Sequence, residues 1–115
     1  MNDITLIKSS IPLDKIREIA SQRFGDMVKA VVDIEQGIMA AGAGMHADEE
    51  AYLLDRGSKQ KDLWGINIYP DLQMPDMVEF DSMINIRPKQ NNKSRNVEDE
   101  GIRKDIVKVV TMLIE

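Results

Sequence analysis

Four cations and no acid fall within one ten-residue stretch, Arg87-Pro88-Lys89-Gln90-Asn91-Asn92-Lys93-Ser94-Arg95-Asn96, a combination suited to holding an anion. Two guanidinium groups can grip phosphate bidentately, and Asn, Gln and Ser can donate to its remaining oxygens. Arg87, Lys89, Asn92, Lys93 and Arg95 are the expected contacts, with nucleic acid or a phosphate-containing ligand as the partner. A helix start follows at once and would favour an anion. Yet Glu98, Asp99 and Glu100 already bring negative charge to that helix end, and they can pair with the cations before them. On that second reading the stretch is a solvated loop pinned by its own acidic neighbours.

A second group of chemically capable residues is His46 with Asp48, Glu49 and Glu50, joined by Glu79 or Asp81 from later in the chain. Imidazole and carboxylates are ligands for divalent metals and can serve a small metal-assisted hydrolase. On a helix, residues three or four apart share a face, so His46 pairs with Glu49 or Glu50 but not with Asp48. The chain has one His, so HExxH is incomplete and a zinc site would need a carboxylate-rich shell. Acids at a helix start also suit the helix dipole. Nucleophilic catalysis has little to build on, because there is no Cys and no GxSxG. Gly42 and Gly44 lie in GAGMH, which lacks the Lys-Ser/Thr of a P-loop, and read as turn residues; no cofactor is implied.

Composition sets the frame for these groups. At 115 residues, with 43% hydrophobic and 30% charged residues, the chain fits one globular domain. The net charge of −5 argues against general affinity for DNA or anionic membranes, so any anion site must be local. No cysteine is present, which removes disulfides and thiolate metal sites and fits a reducing compartment. Met1 to Ser10 has no apolar run of signal-peptide length, and no segment approaches a membrane span. The expectation is a cytoplasmic protein.

The elements that must position the groups follow from periodicity. Ile4 to Ile7 reads as a strand. Ser10 as N-cap and Pro12 in the first turn open a helix whose Leu13, Ile16, Ile19, Ala20 and Phe24 share a stripe until Gly25. Val28 to Ile34 alternates and turns through Glu35-Gln36-Gly37 into Ile38 to Ala41, a hairpin. His46 to Arg56 reads as a helix with Ala47, Ala51 and Leu54 on its apolar face, ended by Gly57. Leu63 to Tyr69 is a strand stopped by Pro70. Met77 to Arg87 reads as another strand, with Val78, Phe80, Ser82, Ile84 and Ile86 on one face and Glu79, Asp81, Met83, Asn85 and Arg87 on the other. Asn96 is the candidate cap of a last helix, whose Ile102, Ile106, Val109, Val110 and Leu113 repeat at helical spacing.

Helices with one apolar stripe and strands with one apolar face bury each other. The expected fold is therefore α+β, a two-layer sandwich with a largely antiparallel sheet and about three helices on one face. The other face, with Lys29, Asp33, Asn67, Tyr69, Asp81, Asn85 and Arg87, would stay open to a ligand or to a second copy in a homodimer. Asn67 and Asn85 are disfavoured in mid-strand, which suggests specific hydrogen-bonding tasks for them.

Three blocks, GDMVKAVVDIEQGIMA from Gly25, HADEEAYLLDRGSKQKDLWGINIYP from His46 and EFDSMINIRPKQNNKSRNVED from Glu79, resemble an uncharacterised family of small prokaryotic proteins, a domain of unknown function. The resemblance spans roughly residues 23 to 104 and implies no activity or site residue. From the residues themselves, the leading expectation is a binding module with a local anion or nucleic-acid contact in the 87–96 loop.

Overall fold

In a computed structural model that describes residues 3–115, the element order is β1 (Thr5–Ile7), α1 (Leu13–Ser21), β2 (Val28–Asp33), β3 (Ile38–Ala41), α2 (His46–Asp55), β4 (Leu63–Ile68), β5 (Val78–Glu79) and α3 (Glu100–Leu113). Short 3-10 turns occupy Gln60–Asp62, Met83–Asn85 and Pro88–Gln90. The strands form one antiparallel sheet in the order β1-β3-β2-β4-β5, so the class is α+β as expected. The β2–β3 hairpin turns through Gly37, whose φ of 69° is open to glycine at no steric cost.

Strand alternation divides the core. Val28, Ala30, Val32, Met39, Ala41, Trp64, Ile66 and Ile68 meet Ile16, Ile19 and Ala20 of α1 and Ile106, Val109, Val110 and Leu113 of α3. The four α3 side chains are each worth roughly 1.5–3 kcal/mol when buried, so this stripe anchors the helix. On the opposite face, Val31, Ala40 and Leu63 meet Leu53 of α2, edged by Ile4, Leu6, Ile38, Tyr52 and Ile84. Helix α2 therefore lies across the sheet from α1 and α3, and the face expected to be open is covered. The uninterrupted apolar run Ala30-Val31-Val32 belongs to a strand buried on both faces.

Several local expectations are corrected. Pro12, not Ser10, is the α1 N-cap, and the helix closes at Ser21, leaving Phe24 exposed. Helix α2 buries His46, Glu49 and Leu53 rather than Ala47, Ala51 and Leu54, because Leu53 offers the larger apolar contact to the sheet. The long strand over 77–87 is two residues, β5; beyond it the Ser82 hydroxyl accepts from the Ile84 N–H and starts a 3-10 turn. Such local side-chain bonding competes with strand pairing. Asp99, not Asn96, caps α3 by accepting from the Ile102 N–H.

Candidate functional site

Two neighbouring arrangements contain nearly all the residues singled out above. The first is a polar corner beside the start of α2. Register places Lys29, Asn67 and Glu79 side by side on β2, β4 and β5. Asn67 Nδ2 donates to Glu79 Oε1 at 2.8 Å, and the Tyr69 hydroxyl donates to the same oxygen at 3.1 Å. His46 Nε2 donates to the Ile66 carbonyl at 2.8 Å. Burial holds the imidazole below its ordinary pKa; the Ile66 carbonyl and Asn67 favour the charged ring but do not offset it. Neutral His46 therefore carries its proton on Nε2, since a carbonyl can only accept.

Glu49 is fully buried one turn along the same helix face. Its Oε2 accepts from the Ala43 N–H at 3.0 Å, whereas Oε1 has no partner among the described residues. Desolvation pushes the carboxyl up to about 9, so it is protonated and uncharged at neutral pH. Glu50 points elsewhere and accepts from Arg87 Nη2 at 3.2 Å. The expected set of His46, Glu49 and Glu50 is thus divided, and among the described residues no three His, Asp or Glu side chains are placed to hold a metal ion.

The second arrangement is the segment from Asp81 to Glu98, which runs along the free edge of β4. Asn85, fully buried, accepts from the Gly65 N–H at 2.8 Å and donates to the Gly65 carbonyl at 3.0 Å. Its carboxamide stands in for the peptide unit of a neighbouring strand. Gly65 is needed there, because a Cβ at that position would lie 2.6 Å from Ser82 Cβ and Oγ and 3.2 Å from His46 Cδ2. Asn92 is the hub of the next turn: Nδ2 donates to the carbonyls of Asn85, Ser94 and Asn96, and Oδ1 accepts from the Glu98 N–H. Asn91 takes the left-handed conformation at φ 61°, which Asn tolerates, to let the chain reverse.

Arg87 locks the segment to the body. Nε donates to the Ile84 carbonyl, Nη1 to the Gln60 carbonyl at 2.8 Å and Nη2 to Glu50, and the guanidinium lies 4.8 Å from the centre of the Trp64 ring. Burial pulls its pKa down, opposed by Glu50.

Of the five residues expected to hold an anion, Arg87 and Asn92 face inward and serve the fold. Lys89, Lys93 and Arg95 are exposed, Arg95 in an open pair with Asp81 at 2.6 Å. Glu98 accepts from the Lys93 backbone N–H and the Ser94 hydroxyl, whereas the cations expected to pair with Glu98, Asp99 or Glu100 meet other acids among the described ion pairs, Arg87 with Glu50 and Arg95 with Asp81. In the polar-face set, Asn67 and Asn85 are buried, and Tyr69 and Asp81 half-buried. Sequence reasoning missed Gln60, Gln90 and Trp64 around Arg87; a glycine in mid-strand directly after a tryptophan was the available signal of close approach.

These features define a class: an α+β protein whose antiparallel sheet is covered on both faces and finished along one edge by a side-chain-pinned segment. The chain belongs to a family described as proteins of unknown function (DUF5674), whose sequence profile matches residues 5–113. Comparison with curated proteins and with solved structures finds no match. No helix among the described residues is long and apolar enough to cross a membrane.

Proposed function

We propose that the protein is a non-catalytic binding module that contacts a phosphate-bearing partner through Lys89, Lys93 and Arg95. The observation that supports this most is the hydrogen bonding that ties down an irregular segment: Asn85, Arg87 and Asn92 bury their polar groups to hold it, while its remaining cations face solvent. Prepaid order of this kind lowers the entropic cost of binding. The Asp81–Arg95 pair is exposed and worth little, so Arg95 can exchange Asp81 for a phosphate.

The test is a titration of the labelled chain with nucleotides and single-stranded RNA, followed through backbone amide shifts. Shifts confined to residues 88–96, weakening with salt at a slope of about 0.7 per phosphate contact, are expected. Replacing Lys89, Lys93 and Arg95 by Gln should abolish them while the chain stays folded, since all three side chains are exposed. No shift across the panel would remove the proposal.

A further inference from the structure

Between β5 and α3 lies a groove that none of the residues above explains. It measures about 450 Å3 and is lined by Phe80, Glu100, Arg103, Lys104, Val107 and Lys108. Its floor is apolar, from Phe80 and Val107, and its rim holds three of the 15 Lys and Arg of a chain whose net charge is −5. Arg103 is held in place: its Nε donates to the Val97 carbonyl, and its guanidinium lies 5.5 Å from the centre of the Phe80 ring. Lys104 and Lys108 are both exposed and stand one helical turn apart on α3.

We infer that this groove docks a short acidic segment of a partner protein, with an apolar side chain on the floor and carboxylates at the lysine rim. Charge complementarity names the sign of the occupant, and the groove's size limits it to one or two side chains. Spacing agrees with an extended segment. Alternate residues of a strand lie roughly 6.6 Å apart, close to the 5–6 Å between side chains one helical turn apart, so Glu-Leu-Glu presents two acids to the lysines and the leucine to the floor. A nucleic acid fits less well, because the Arg103 guanidinium already stands over the Phe80 ring on which a base would stack. Glu100, at the end of the groove, repels a further acid there and favours an occupant lying toward Lys108.

The experiment is fluorescence anisotropy of a labelled heptapeptide with a Glu-Leu-Glu centre against the whole chain, with a Glu-Ser-Glu peptide, a Lys-Leu-Lys peptide and oligothymidine as comparisons. Binding of the first probe is expected, weakened severalfold by the serine and lost with the lysines. K104E/K108E should weaken it by about tenfold or more while leaving the melting temperature unchanged, since both side chains are exposed. K89E/K93E should leave it intact, which separates this groove from the phosphate contact. Absence of binding up to about 1 mM peptide, equal binding by K104E/K108E, or oligothymidine binding lost in K104E/K108E would each overturn the inference.

Discussion

Replacing Glu49 by Gln should stabilise the protein, and by an amount that grows with pH. The folded carboxyl titrates near 9 and the unfolded one near 4.5. An acid whose folded pKa is raised keeps its proton while the unfolded chain releases one, so stability is fully present below about 4.5 and declines as pH rises toward 9. The loss is at most about 1.4 kcal/mol per pH unit, giving a ceiling of roughly 5 kcal/mol at pH 8. Gln is the isostere of the protonated acid. It keeps an oxygen for the Ala43 N–H and cannot ionise. Urea unfolding of both proteins between pH 5 and 8 reads the difference directly. It should grow by several kcal/mol between pH 5 and pH 8, above a pH-independent cost for the Gln Nε2 donors, which take the place of the unpartnered Oε1. His46 acts in the opposite sense, its lowered pKa giving stability above about 6.5 that is lost as pH falls, but it is common to both proteins and largely cancels. A difference independent of pH, or a variant less stable than the parent at pH 8, would refute the reasoning.

Two further substitutions examine the pinned segment. Asn85→Ala should cost about 2–4 kcal/mol, because the Gly65 N–H and carbonyl both lose their partner, and Asn85→Asp should be destabilising as well, since its buried carboxylate cannot donate and would face the Gly65 and Arg95 carbonyls; an Asp variant as stable as the parent in chemical denaturation would contradict the carboxamide pairing. Arg87→Ala should cost about 3 kcal/mol or more by stranding Glu50. Part of that cost, the share due to a stranded Glu50, should disappear when Glu50→Gln is already present, while the lost bonds to the Ile84 and Gln60 carbonyls remain; additive losses in the four-member cycle would show that the two residues are not coupled.

The fold class was legible because hydrophobic period carries it: α3, β4 and the β2–β3 hairpin lie where the spacing puts them. What misled was periodicity applied where polar side chains decide. Ser82 and Asn85 fit an alternating pattern, yet their capacity to bond backbone ended the strand after Glu79. Helix α2 was misoriented because its inward face mixes His46 and Glu49 with one leucine, and a helix rule based on apolar spacing discards such a face. The cationic loop was visible as composition, but composition could not separate Arg87, turned inward by Glu50 and the Gln60 carbonyl, from Lys89 and Lys93. Asn67 and Asn85, flagged as out of place in a strand, do carry specific hydrogen bonds.

The pairing of Asn85 with Gly65 also bears on the sheet margin beside it. An unfinished sheet margin is a template on which another molecule's backbone can lengthen the sheet toward a fibril. One carboxamide occupies the donor and acceptor at Gly65 that such an incoming backbone would need, and it cannot pass the template on. Among the described strands, the margins left are β1, three residues long, and β5, two residues long. Loss of Asn85 would therefore do more than loosen one turn: it would leave the Gly65 donor and acceptor on the margin of β4 without their partner.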